Sequence, residues 1–234
     1  MQVKPIIILN KPQLAENIGF VARNMMNFGL NELRLIAPRD GWPQEKSLDV
    51  SKGGREIVES AKVFGDLTSC IADLTHVYAT TARIRDMQKP ALNPKEFASE
   101  VSNFDVNIRC AIMFGQENNG LSNEDVSHCH KIIEIPANPE YSSINLAISV
   151  AIIGYELFCA NYASRSKNNQ IAYEVANLSE MTFFYKLIES KLDNTGFFSV
   201  PDKKDKIMIN IRNIFSRVDL SNQELKTLIG IIRG

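Results

Sequence analysis

Residues 138–147 read NPEYSSINLA and stand between an apolar β-type run, KIIEI (131–135), and an almost wholly apolar segment, INLAISVAIIGYELF (144–158). A chain that leaves its core through a proline, a tyrosine and two serines, then re-enters it at once, is turning a tight corner. Asn138-Pro139 forces the turn, because proline fixes its own φ and restricts the residue before it. Ser142 or Ser143 is suited to cap the helix that follows. The free amides of that helix's first turn then face the strand ends, where open α/β sheets hold their ligands. A capped corner without a ligand has the same sequence.

The flanks of this corner set the fold class. Upstream, PIIIL (5–9), LRLIA (33–37), HVYATT (76–81), CAIMFG (110–115) and KIIEI are short β-rich runs, several apolar enough to be covered on both faces, and helical patterns alternate with them. That alternation predicts an α/β domain with a largely parallel sheet. Leu14, Ile18, Val21, Met25 and Phe28 make one face of a helix stopped by Gly29. Residues 144–158, apolar all round, predict a helix in the core or at an interface. Downstream, residues 164–177 are polar and without period, and MTFFYKLIESKL, DKIMINIRNIFSRV and SNQELKTLIGIIRG then resume helical spacing, with Ser221 as an N-cap. The expected organisation is a domain at 1–163, a linker at 164–177 and a small helical C-terminal extension at 178–234.

Composition limits the setting. The chain has 234 residues, 44% hydrophobic and 23% charged, with a net charge of -1. That excludes disorder as the main state and a strongly basic nucleic-acid binder, while leaving room for a local basic patch. Residues 178–234 carry nine Lys and Arg against seven Asp and Glu, and Lys203, Lys204 and Lys206 cluster there. Such a cluster suits phosphate contacts, although a solvated turn has the same composition. The apolar run near the N-terminus is too short for a signal-peptide core and no stretch approaches membrane-spanning length, so a cytoplasmic location is expected. Cys70, Cys110, Cys129 and Cys159 form no C-x-x-C pair and are expected as buried thiols. His128 and His130 flank Cys129, but neighbours on a helix point about 100° apart and no second ligand pair is in view, so no metal is expected. Trp42, in RDGWP, belongs either to a packed turn or to an RNA-facing loop.

Two further corners share the polar character of the first. In MFGQENNGLSNED (113–125), Gly115 lets the backbone approach a ligand and Glu117 can accept hydrogen bonds or meet a cation; a plain turn also reads this way. In ENIGFVARNMMNFG (16–29), Glu16, Gly19, Arg23 and Asn27 share a helical stripe. Gly19 costs a helix about 1 kcal/mol against alanine, which is explained if a ligand or another backbone comes close. A solvated polar face is the alternative.

In chain order, N-I-G-x-x-A-R-N-M, F-G-x-E-x-x-G-L and I-P-A-N-P-E-Y-S-S-I-N-L-A resemble the three motifs of the SpoU-type RNA 2′-O-methyltransferases of the SPOUT class, over about residues 5–160. The resemblance implies a parallel sheet with a C-terminal deep trefoil knot, an exception to the no-knot rule, and a homodimer whose partner completes each active site. It implies S-adenosyl-L-methionine as cofactor, lined by Thr80, Thr81 and Ala82, by Gly115, and by Ile135, Ser142, Ser143 and Ile144. Asn17, Arg23, Glu117, Ser143 and Asn145 match the catalytic polar positions. Relatives are described with the arginine as the deprotonating group. A guanidinium stays charged in proteins, however, so orienting a phosphate and stabilising the developing alkoxide is the cheaper role for Arg23. Together with ANPEYSSINLA, the tail stretches FYKLIESKLDNTGFF and IRNIFSRVDLSNQELKTLIGII are similar to the members of the class that methylate the ribose of the tRNA pyrimidine at anticodon-loop position thirty-two. An rRNA or other tRNA target, or a non-catalytic RNA-binding protein, is the alternative. A Rossmann-type nucleotide enzyme would need a glycine-rich turn after its first strand, and ILNKPQLAEN offers none.

Overall fold

The computed structural model describes residues 3–81, 89–163, 174–198 and 203–234. Its strands are β1 (Ile6–Asn10), β2 (Leu33–Ile36), β3 (Lys62–Phe64), β4 (His76–Thr80), β5 (Ala91–Leu92), β6 (Cys110–Phe114) and β7 (Lys131–Ile133). They form one sheet in the order β3-β2-β1-β6-β4-β7-β5, and every pairing is parallel. All five strands expected from apolar runs are present. The other two, β3 and β5, are short, largely exposed edge strands without an apolar run to betray them.

The helices are α1 (Ala15–Asn27), α2 (Glu45–Ser51), α3 (Arg55–Glu59), α4 (Leu67–Ile71), α5 (Pro94–Ser102), α6 (Asn123–Ser127), α7 (Leu146–Ala163), α8 (Leu178–Asn194), α9 (Lys204–Phe215) and α10 (Asn222–Arg233). Alternation along the strands divides the core in two. Ile7, Leu9, Leu35, Tyr78 and Phe114 pack with Ile18, Val21 and Met25 of α1, Phe97 of α5, and Val150, Ile153 and Leu157 of α7. Ile6, Ile8, Val77, Ala79, Ala111 and Met113 pack with Ile71 of α4, Val126 of α6, Met181 and Phe184 of α8, and Leu225 of α10. Both faces of a parallel sheet must be covered, and here the C-terminal helices supply part of one cover.

Local packing revises several expectations. Gly29, at φ 71°, ends α1 as expected, whereas Leu14 is 47% exposed and lies outside its buried face. A Cβ on Gly19 would come within 2.3 Å of the Ser47 carbonyl oxygen, so the close approach there is the backbone of α2. The cap of α7 is neither Ser142 nor Ser143. The helix starts at Leu146, and Asn145 Oδ1 accepts the amide hydrogens of Ala147 (2.9 Å) and Ile148 (3.4 Å). All three residues have cap chemistry, and only the one whose side chain reaches the free amides can use it. Although α7 is apolar all round, Ile148, Tyr155 and Phe158 remain exposed on it. Cys159 is exposed too, while Cys70, Cys110 and Cys129 are buried thiols as expected, each pushed up to about 12 by burial.

Of the expected linker, residues 174–177 are described. Ala176 N–H donates to Leu220 O at 2.8 Å, Asn222 N–H donates to Glu174 O at 2.9 Å, and Asn177 caps α8. Trp42 is half-buried against the first core cluster, in a packed turn. No described helix is long and apolar enough to cross a membrane.

Candidate active site

A cleft of about 450 Å³ opens where the carboxyl ends of β4, β6 and β7 meet the start of α1 and the corner before α7. It collects Asn17, Thr80, Thr81, Gly115, Glu117, Ile135, Ser142, Ser143, Ile144 and Asn145 from the three sequence corners and the end of β4. Ala82 lies outside the described residues. Arg23 does not line the cleft. It is exposed on α1, six residues beyond Asn17 and so about 9 Å along the helix axis.

Gly115 is required by its own loop. Gln116 and Gly120 form an antiparallel bridge, Gly120 sits at φ 65°, and a Cβ on Gly115 would lie 2.1 Å from the Gly120 carbonyl carbon. The ligand expected to need that glycine is thus preceded by the loop itself folding back. This fold-back presents Glu117 to α1. The carboxylate accepts the amide hydrogens of Gln13 (2.9 Å) and Leu14 (3.3 Å) and the Asn17 side-chain amide (3.0 Å). Leu14, at the N-cap, has no capping side chain, so a carboxylate from a distant loop answers the free amides and the positive end of the helix.

The network continues across the cleft. Asn145 Nδ2 approaches Asn17 Oδ1 at 3.5 Å, and Asn145 in turn caps α7. Asn24 Nδ2 donates to Ala147 O at 2.7 Å, tying α1 to the same helix start. Asn138 closes the preceding corner, its carbonyl accepting Tyr141 N–H at 2.9 Å and its side chain accepting Glu140 N–H at 3.1 Å. Thr80 Oγ1 donates to Met113 O at 3.1 Å, and Thr81 N–H donates to Ile133 O at 3.3 Å. These bonds fix the end of β4 beside the cleft. The floor is apolar, with Phe114, Ile133, Ile135 and Ile144, and the mouth holds exposed Ser142 and Ser143. An apolar slot with a few convergent polar groups suits a small organic molecule with a flat ring and a polar end.

Sequence reasoning missed Gln13, Gln116 and Asn118. Gln13 Oε1 accepts from Asn118 Nδ2 at 3.1 Å, and its Nε2 approaches Gln116 Oε1 at 3.4 Å, which ties the chain before α1 to two residues that line the cleft. The available signal was the absence of any capping residue before α1, which demands a partner from elsewhere.

Away from the cleft, His76, His130 and Asp219 converge. The His130 Nδ1 accepts the Val77 amide hydrogen at 3.2 Å, which puts the ring proton on Nε2 and leaves no free lone pair for a metal ion. Burial pushes the His130 pKa down to about 3. His76 stacks on it at 4.8 Å between ring centroids, and its Nε2 lies 2.7 Å from an Asp219 carboxylate oxygen. This chemistry fastens the chain beyond α9 to β4. His128, also weighed as a ligand, faces Glu124 instead at 3.4 Å. In the basic tail cluster, Lys204 is paired with Glu189 (3.0 Å) and Asp193 (2.8 Å), which leaves Lys203 and Lys206 exposed.

Residues 4–155 match the model of the SpoU rRNA Methylase family, and residues 179–234 match the model of the C-terminal domain of tRNA methyltransferase TrmJ. The chain is 32% identical over 229 residues to tRNA (cytidine/uridine-2′-O-)-methyltransferase TrmJ of Escherichia coli K12, covering 97% of this chain and 92% of that protein. It shows the same identity and coverage with an uncharacterized tRNA/rRNA methyltransferase of Haemophilus influenzae. The crystal structure of TrmJ from Z. mobilis ZM4 superposes with a TM-score of 0.88 at 36% identity, covering 98% of this chain and 97% of that one.

Proposed function

The chain belongs to the SpoU rRNA methylase family, and on that premise we propose that it methylates a ribose 2′-hydroxyl of tRNA with S-adenosylmethionine, at the pyrimidine in anticodon-loop position thirty-two. The observation that carries this reading is the run Glu117–Asn17–Asn145, in which three sequence corners meet around one cleft. Relatives named as tRNA (cytidine/uridine-2′-O-)-methyltransferases, similar along almost the whole chain, support the tRNA ribose as target.

The cleft fits the cofactor by its donor set. Ile135 and Ile144 offer apolar contact to an adenine face, and the strand-end backbone at Thr81 and Gly115 offers polar groups to its edge. S-adenosylmethionine supplies an electrophilic methyl on a sulfonium, and the protein's task is alignment and help with the departing proton. Ser143 and Asn145 hold the ribose hydroxyl in line. Glu117 keeps Asn17 and the N-terminus of α1 in register with them. Arg23 orients the adjoining phosphate and stabilises the developing alkoxide.

The reading includes a deep trefoil knot around the corner at 138–145, a methyltransferase domain at 1–163, a linker at 164–177 and a helical C-terminal extension at 178–234 that adds to the RNA footprint. It also includes a cytoplasmic homodimer. Exposed Phe20 and Met26 on α1, with Ile148, Tyr155 and Phe158 on α7, support a second copy packing over these helices. Arg23, on α1 and outside the cleft, then serves a site completed between two protomers.

The test is incubation of the purified protein with S-adenosylmethionine and unmodified tRNA, followed by nucleoside mass spectrometry and mapping. The expected product is a 2′-O-methylpyrimidine at position thirty-two. Methylation confined to rRNA, or to another tRNA position, overturns the assignment of target.

A further inference from the structure

The turn Lys52–Gly54 joins α2 to α3 and lies against α1. A Cβ on Gly54 would come within 2.6 Å of the Ala22 carbonyl oxygen and 2.8 Å of the Arg23 amide nitrogen, so the turn seats there because that residue has none. Lys52 stands two residues earlier, which keeps its Cα within about 7 Å of that of Gly54. Its own backbone is costly. Lys52 has φ 49° and ψ -116°, outside even the small left-handed region that a side chain tolerates. Glycines follow at 53 and 54, and neither has a left-handed φ. The lysine thus holds the one position of the three that a glycine would fill more cheaply. Among the described residues, Lys11 and Ala37 are the other non-glycines at positive φ, and each follows a strand. Their amides donate to Ile36 O (2.8 Å) and Phe64 O (2.9 Å), so sheet bonding accounts for them. Lys52 lies between helices, and what a lysine adds there is its ammonium; backbone held at such cost points to a use for the side chain.

Charge pairing singles out the same place. Helices α1 to α3 and this turn carry four cations: Arg23, Lys46, Lys52 and Arg55. Lys46 lies 3.6 Å from Glu16, and Arg55 is paired with Glu59 at 2.8 Å. Arg23 and Lys52 are both exposed, and neither side chain has an ion-pair or hydrogen-bond partner among the described residues. The seat of Gly54 therefore holds two uncompensated cations on adjoining pieces of chain. An anion shared between them would remove their mutual repulsion, and a phosphate is the anion that two such donors can grip together.

We propose that Lys52 binds the phosphate backbone of the RNA substrate, forming with Arg23 a two-point clamp beside the reacting nucleotide. Lys52 lies outside the three sequence corners, so the clamp extends the RNA site onto the turn between α2 and α3. This rests on the assignment of Arg23 to the tRNA given above.

The test is binding of an unmodified tRNA transcript across a salt series to the full-length wild type, Lys52→Ala, Lys52→Gly, Lys52→Arg and Arg55→Ala, with thermal melting and oligomeric state recorded for each. Lys52→Ala is expected to weaken tRNA affinity about five-fold and to lower the slope of log affinity against log salt by about 0.7–0.9, the share of one phosphate contact. KM for tRNA should rise while cofactor affinity is unchanged. Lys52→Gly relieves the left-handed φ, so it should melt at or above the wild type and yet bind tRNA as weakly as Lys52→Ala. Lys52→Arg keeps a cation and should bind nearly as wild type, and so should Arg55→Ala, whose cation is already spent on Glu59. Folded Lys52→Ala with wild-type tRNA affinity and salt slope overturns the proposal, as does an equal loss in Arg55→Ala, which marks a general effect of surface charge. A wild type that binds no tRNA overturns the tRNA reading instead.

Discussion

Polar side chains are used in opposite ways at the cleft and beneath the C-terminal helices. Ser142, Ser143, Asn145 and Arg23 are exposed at or near the cleft, with donors or acceptors to spare. Lys89, His76 and Ser216 are buried with their polar atoms committed to partners, Lys89 to Ser216 at 2.8 Å among them, and buried His130 accepts the Val77 amide hydrogen. A polar atom with unspent capacity at the solvent edge can be completed by a ligand, whereas one buried with its partner holds the fold and is costly to disturb. Glu117 belongs to both descriptions: it lines the cleft, yet its oxygens are already spent on α1.

If this contrast is right, Arg23→Ala should lower methyl transfer by about 10²-fold or more, the scale for removing one preorganised charge-stabilising group, with cofactor affinity nearly unchanged. Single-turnover assays and calorimetry separate the two, and loss of cofactor affinity in a folded protein would place Arg23 in the wrong role.

The buried side of the contrast should show in acid. His130 is held neutral, with its pKa far below the ordinary value near 6.5. Its contribution to stability is complete above that value and is lost as pH falls towards the folded pKa, at up to about 1.4 kcal/mol per pH unit. Asp219, held below the usual carboxylate range by the His76 hydrogen bond despite its burial, adds a loss in the same direction at lower pH. Urea midpoints between neutral and mildly acidic pH should fall, and a flat profile would refute the buried neutral imidazole.

A smaller effect is expected at Glu117. Replacement by alanine leaves the Gln13 and Leu14 amides without their partner and should cost about 1–3 kcal/mol of stability, together with reduced transfer. A stability unchanged by the substitution would return Glu117 to the uncommitted group. Smallest is the cap of α7. Asn145→Ala should cost about 1 kcal/mol and Ser142→Ala next to nothing, as read by thermal melting; the reverse order would restore the serine cap.

Legibility in the sequence followed the range of the interactions. The central strands and α1 announced themselves because their burial is written in consecutive or three-and-four-spaced apolar residues. The exposed edges β3 and β5 bury too little to leave such a pattern. Three polar corners stood out at strand ends or along α1, the resemblance they carry named the individual cleft residues, and all the described ones except Arg23 converge there. At Gly19 and Gly115 the sequence left a ligand and plain backbone packing both open, because a glycine signals close approach without saying by what, and packing supplies the backbone of Ser47 and of Gly120. Lys89, Ser216, His76 and Asp219 carried no local signal at all, since their partners lie 127 and 143 positions away.

The amino-acid sequence alone therefore determined the α/β class and the parallel sheet through local periodicity, and the identity of most cleft residues through the motif resemblance that its three corners carry. Only the tertiary structure decided that the C-terminal helices share a core with the sheet, that Asn145 caps α7, and that Glu117 serves the N-terminus of α1. Hydrophobic spacing is a property of neighbours in the chain. Which polar group satisfies which is settled only when distant segments are packed close enough to exclude water.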